Sequence, residues 1–200
     1  MAIRVLPILV LFPAFLQSLQ VLGYSQSEIK WWCAQTPHPN PCEYFLTRDQ
    51  NSIHANHNPG GNDPIRGKSD FLRVSLRLAL DQAQTAHSGA FSLGPRCRSG
   101  KEKAAWADCL QLYEYTVNRL NHTASSDTKC TKEDAQTWLS TALTNLETCR
   151  AGFVELGVPD NVLPLMSNNV SDLISNALAL NDVPYNPPST SAGGLPTYRR

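Results

Sequence analysis

Nowhere in this 200-residue chain is there an uninterrupted run of the roughly 20 apolar residues that a membrane-spanning helix needs. The nearest candidate, Val5 to Leu16, is broken by Pro7 and Pro13. With Arg4 ahead of it and Val21 and Gly23 behind, it reads as a signal peptide over residues 1–23. The mature chain is therefore expected to be secreted, with no membrane association once the leader is removed. An excess of one charge is also missing: 17 Lys and Arg stand against 17 Asp and Glu, so nothing points to nucleic acid. Alternating strand patterns and internal repeats are absent.

Catalytic signatures are missing as well. There is no Gly-x-Ser-x-Gly, no phosphate-cradling glycine loop and no His-Glu-x-x-His, so neither a catalytic residue nor a cofactor is expected. The five histidines, His38, His54, His57, His87 and His122, sit in or beside expected loops with no acidic partner at a telling interval. His54 and His57 lie three apart in a polar, turn-rich stretch, and without a third ligand they read as a solvated loop, not a metal site. Asp108 beside Cys109, and Glu133 with Asp134, read as a solvated helix face or a cap.

What the chain does have is six cysteines, all beyond the leader. In a secreted chain disulfides are the default, and six cysteines allow 15 pairings that sequence alone does not resolve. Around two of them the pattern is dense. Trp106, Cys109/Leu110, Tyr113, Val117 and Leu120 recur at three and four, and so do Ala135, Trp138/Leu139, Ala142, Leu143, Leu146 and Cys149. Ser99 with Glu102, and Thr131 with Asp134, have the spacing of capping boxes opening the two arms. The reading is a helical hairpin pinned between Cys109 and Cys149. Such a bond would close a loop of about 40 residues, worth roughly 4 kcal/mol of unfolded-chain entropy.

Further stripes complete the picture. Ser27 to Leu46 reads as two short helical pieces clipped by Cys33 and Cys42 across the Pro-rich turn Ala34 to Pro41, with Trp31 and Trp32 docking the pair on the main body. Asp63-Pro64 opens a long helix carrying Phe71/Leu72, Leu76, Ala79 and Ala83/Ala86, expected to stop at Ser88-Gly89. Gly152 and Gly157 mark the fraying end of the hairpin. A last stripe, Val162 to Leu178, is expected to start near Pro164. The expected fold class is all-α: an up-down-up-down four-helix bundle with an N-terminal disulfide-clipped helical hairpin, over residues 24–182, followed by a Pro/Ser/Gly-rich linker or tail, 183–200. With Cys109 level with Cys149, helix rise separates Cys97 from Cys130 by roughly 45 Å along the bundle. That is beyond disulfide reach, so these two are not expected to be bonded to each other. Asn121-His122-Thr123 and Asn169-Val170-Ser171 are acceptor patterns for glycosylation.

The Cys33 to Cys42 unit, Ala107-Asp108-Cys109, Leu112-Tyr113-Glu114, the run Asp134-Ala135-Gln136-Thr137-Trp138-Leu139-Ser140-Thr141-Ala142-Leu143-Thr144, and Thr148-Cys149 together resemble the plant invertase/pectin methylesterase inhibitor family over about residues 27–182. The resemblance implies the same bundle, with bonds Cys33 to Cys42 and Cys109 to Cys149. It implies inhibition of pectin methylesterase in trans, or in cis as the pro-region of a longer esterase. The stretch Leu165 to Ser171 and the tail Gly194 to Arg200 look like the end of a pro-region and its joint. Inhibition in the family implies polar side chains of the second and third long helices meeting the enzyme, with acids one, two and three turns after the cysteine. Here Glu114 takes the first place and Asn118 and Asn121 the later two, and a glycan on Asn121 would obstruct a helix-face contact. Invertase is the alternative partner, although the Pro-Lys-Phe motif associated with its inhibitors is absent. A small-ligand carrier of the lipid-transfer kind is the alternative of another class; those usually carry eight cysteines with an adjacent pair.

Overall fold

The computed structural model describes residues 26–48, 68–93, 99–125, 130–158 and 168–182. Among them the chain forms six helices and no strand: α1 Gln26–Cys33, α2 Pro39–Arg48, α3 Lys68–Leu93, α4 Gly100–Ala124, α5 Lys132–Glu155 and α6 Asn168–Asp182. The expected leader, the His54 and His57 loop, the start at Asp63-Pro64, Cys97, the start near Pro164 and the tail lie outside the described residues.

Local chemistry sets the ends of the two central helices. At α4 the Ser99 hydroxyl accepts from the Glu102 N–H (3.1 Å) while Glu102 Oε2 accepts from the Ser99 N–H (3.3 Å). At α5, Thr131 and Asp134 exchange the same two bonds, each 3.1 Å. Both boxes satisfy helix N–H groups that have no partner inside the helix. α5 does not fray. Gly157 takes φ +66, its N–H donates to Val154 O (3.0 Å), and the Val158 N–H donates to Phe153 O (2.9 Å). This pair of bonds is a Schellman stop, and Val158 and Phe153 are both buried beneath it. Gly152 lies inside the helix.

Two other boundaries differ from the sequence expectation. α3 runs through Ser88-Gly89 to Leu93 because Ala90 is still buried in the core, which outweighs one unfavourable glycine. α2 begins at Pro39 and contains Pro41, since in a first turn the missing N–H would have had no partner anyway.

α3, α4, α5 and α6 pack as an up-down-up-down bundle, each against its two neighbours. Cross-links fix the register. Cys109 is bonded to Cys149, and two turns further along the buried Thr116 hydroxyl donates to Leu112 O (2.9 Å) and approaches Ala142 O (3.4 Å). At one end, Lys132 Nζ meets Asp182 (2.6 Å), the Asn181 amide donates to Lys132 O (3.0 Å), and Lys68 Nζ donates to Asn181 O (3.2 Å). The main core holds Trp106, Tyr113, Leu120, Leu139, Phe153, Leu173 and Ile174 among others. Thr116 is fully buried where the stripe placed Val117, and Val117, Leu143 and Leu146 are only partly buried. Burying Thr116 costs little because its hydroxyl is bonded to its own helix.

The α1 and α2 hairpin, closed by Cys33 and Cys42, has its own cluster. Ile29, Trp32 and Leu46 pack on Phe71, Val74, Leu78 and Leu180, with Trp32 stacked on Phe71 at 5.5 Å between ring centroids. The Asn176 side chain clamps the turn to α6, accepting from the His38 N–H (2.9 Å) and donating to His38 O (2.8 Å). No described helix is long and apolar enough to cross a membrane.

Candidate partner-binding face

α5 is two-sided. Ala135, Leu139, Ala142, Cys149 and Phe153 point into the bundle, while Thr137, Ser140, Thr144 and Thr148 are exposed. Thr137, Thr141, Thr144 and Thr148 follow one another at four, three and four, which places them along one side of the helix. Each hydroxyl donates to a carbonyl one turn back, at 2.9, 2.8, 3.0 and 2.8 Å respectively. Those bonds hold the side chains in place and commit the hydroxyl protons, so the row offers oxygen lone pairs and methyl groups outward. The depression along this row, with Gln136 and Ser140, has a volume of about 450 Å³ and is wide open.

Between α4 and α5, beside the Cys109 to Cys149 bond, runs a deeper groove of about 530 Å³. Asp108 and Leu112 form its α4 wall, and Thr144, Glu147, Thr148 and Glu155 its α5 wall. Every ionisable side chain lining it is a carboxylate. Asp108, Glu147 and Glu155 are exposed and have no ion-pair partner among the described residues. Further along, Tyr115 is 48% exposed, its hydroxyl held by the Gln111 amide at 3.0 Å. His122 and Trp138 meet across the pair with centroids 5.7 Å apart.

The sequence candidates divide. Glu114, Asn118 and Asn121 are all exposed on α4 and share one stripe. At about 100° per residue, however, they point roughly 120° or more away from Leu112, so they form the outer edge of the face and do not line the groove. Asn121 is in the last turn of α4 and Asn169 in the first turn of α6, both exposed. The Thr123 hydroxyl of the first acceptor pattern is turned inward onto Arg119 O (2.8 Å).

Asp108, expected on a solvated helix face, is exposed and lines the same groove as Glu147 and Glu155. The threonine row was readable from its spacing, but nothing in one helix says that its protons are committed. His38 does have an acidic partner, Asp172 Oδ1 at 3.4 Å from Nδ1, 134 positions along the chain and so invisible to local spacing. The Cys130 thiol is unbonded, and burial, with Asp134 nearby, pushes its pKa up. Among the described residues no three His, Cys, Asp or Glu groups are placed to hold a metal ion.

Comparison with known proteins matches the family model described as plant invertase/pectin methylesterase inhibitor to residues 27–180. A probable pectinesterase/pectinesterase inhibitor 17 of Arabidopsis thaliana is 55% identical over 178 residues, which is 89% of this chain and 33% of the relative. Pectinesterase 2 of Citrus sinensis is 53% identical over 198 residues, 99% of this chain and 36% of the relative. The chain thus spans about a third of the length of these curated relatives. Among solved structures, a pectin methylesterase inhibitor from Arabidopsis thaliana aligns over 82% of this chain and all of its own, with TM-score 0.52 and 19% identity. A mutant form of such an inhibitor gives TM-score 0.54 at the same identity. The two structures support the fold.

Proposed function

Because the chain belongs to the plant invertase/pectin methylesterase inhibitor family, we propose that it silences a pectin methylesterase by laying the outer face of α4 and α5 over the enzyme's pectin-binding cleft. The observation that carries this reading is the threonine row of α5: a rigid, exposed, polar strip whose side chains are already ordered. Ordered side chains lose little entropy on binding, which is what a stable interface between two rigid proteins needs. Glu114, Asn118 and Asn121 form the α4 edge of the contact. The leader directs the protein to the cell wall, Asn169 carries a glycan, and Asn121 stays unmodified so that the α4 edge is free to make the contact.

Two modes fit this reading. The two relatives are about three times as long, one named for both esterase and inhibitor and the other for pectinesterase alone, which supports inhibition in cis, by a pro-region on its own enzyme. The structural neighbours are inhibitors whose whole length this fold covers, which supports inhibition in trans.

The test is acid release from methylated pectin by a purified esterase while residues 24–200 are titrated in. Stoichiometric loss of activity is expected, weakened when Glu114→Lys is used. Full activity at micromolar protein, with the bundle shown folded by circular dichroism, would leave only a role in cis. An acid invertase run in parallel is expected to keep its activity.

A further inference from the structure

Resting on the reading of inhibition in cis, we infer that the polar contacts at the end of α6 form an exit latch. Lys132 and Lys68 hold Asn181 and Asp182, so that the chain leaves the bundle at a fixed point beside α5 and positions the bundle on an enzyme following in the same polypeptide. Silencing in cis depends on this latch, and silencing in trans does not.

The observations start from what α6 lacks. The last carbonyls of any helix have no partner inside it. At α5 that need is met by Gly157, two residues beyond the helix. α6 contains no glycine and has no basic residue in its last turn, and Val183 and Pro184 follow it. It therefore has neither a glycine for a left-handed stop nor its own cation against the negative end of its dipole.

Both needs are met from far along the chain. Lys68 Nζ donates to Asn181 O (3.2 Å) across 113 positions, and Lys132 Nζ donates to Asp182 Oδ1 (2.6 Å) across 50. The Asn181 amide, 6% exposed, donates to Lys132 O (3.0 Å). A buried amide gains a fold little over an apolar side chain of the same shape. Its bond has a direction, however, and here it ties the end of α6 to the first residue of α5. Thr137, where the threonine row begins, lies five residues or roughly 8 Å further along that helix. The exit and the contact face thus share one base, which lets a tethered enzyme and the face meet in a set geometry.

The charges keep the latch shut. The hydrogen bond and the charge of Lys132 hold the Asp182 carboxyl below the usual carboxylate range. The pair therefore persists from neutrality into mild acid and is lost only as pH falls below that range.

The experiment compares wild type, Lys132→Met, Asp182→Asn and Lys132→Arg in two settings: with an esterase domain joined after Arg200, and as the free mature chain titrated into a separate esterase. The two side chains are 48% and 67% exposed, so the bundle tolerates these changes. In the joined form Lys132→Met and Asp182→Asn are expected to raise esterase activity by roughly three- to tenfold, the worth of about one hydrogen bond. Lys132→Arg is expected to stay as silent as wild type. In the free form all four should inhibit equally. Amide hydrogen exchange of the free chain gives a reading without enzyme: residues 178–182 should exchange roughly tenfold faster in Lys132→Met and Asp182→Asn, with α5 unchanged beyond its first turn. If the joined wild type is silent and both loosened variants are equally silent, or if they lose inhibition alike in both settings, the latch inference is overturned and the reading in cis stands. If the joined wild type is active with its bundle folded, the reading in cis fails and takes the positioning role with it. Exchange then decides whether the latch closes α6, and equal rates in all four forms would overturn that too.

Discussion

The inner and outer faces of the α4 and α5 pair use the same residue type to opposite ends. Thr116 on the inner face is fully buried, and its hydroxyl bonds Leu112 O and reaches Ala142 O on the neighbouring helix. Thr144 and Thr148 on the outer face make the same bond to their own helix and meet only solvent. A helix-bonded hydroxyl is close to neutral for the fold in either place. What differs is the neighbour. Inside, it lies on the face that also buries Leu120, Leu139, the Cys109 to Cys149 bond and Phe153. Outside lie three carboxylates and a groove that no part of the described bundle fills. The inner face makes the fold, and the outer face is left to be used.

The comparison breaks first where the inner face is cut. Phe153 is fully buried against Trp106, with ring centroids 6.2 Å apart. Phe153→Ala is expected to lower the unfolding free energy by roughly 3–5 kcal/mol in urea titrations. Replacing Cys109 and Cys149 together by Ala opens the loop across 40 residues and is expected to cost about 4 kcal/mol or somewhat less.

Tyr113 sharpens the contrast through pH. Its burial raises the phenol to about 12, whereas in the unfolded chain it ionises near 10. The native state holds its proton where the unfolded state does not. Stability should therefore be unaffected below pH 10 and fall by about 2–3 kcal/mol as pH rises to 12. Unfolding midpoints of wild type and Tyr113→Phe compared over that range should show this loss only in wild type.

The smallest stability effect belongs to the outer face. Thr144→Val keeps shape and loses only the hydroxyl, so unfolding should change by less than about 0.5 kcal/mol. Inhibition should nonetheless weaken by roughly 3- to 10-fold, the worth of one hydrogen bond. Equal losses in folding and inhibition would remove the distinction between the faces.

Much of the inner face was legible in the sequence. Leu120, Leu139, Ala142 and Trp106 follow a helical period, and both capping boxes could be read from partners three positions apart. Thr116 was passed over because a polar residue interrupts an apolar stripe, and only the packed helix shows its hydroxyl satisfied. Gly89 and Gly157 look alike as punctuation. One is overridden by the buried Ala90 beyond it, while the other adopts the positive φ that stops α5. The outer face was legible only in part. Glu114, Asn118 and Asn121 could be placed on one stripe, but Asp108 joins Glu147 and Glu155 only once two helices are docked in register. His38 and Asn176 meet for the same reason, through tertiary contact across 138 positions.

The most direct test of the account is carboxyl labelling of the mature chain, free and mixed with a pectin methylesterase, using a carbodiimide and an amine tag read out by mass spectrometry. Asp108, Glu114, Glu147 and Glu155 should be protected in the mixture, while Glu28 on α1 and Glu43 on α2 label equally in both samples. Protection at Glu28 and Glu43, with the outer face of α4 and α5 still open to reagent, would contradict the assignment of that face to the partner.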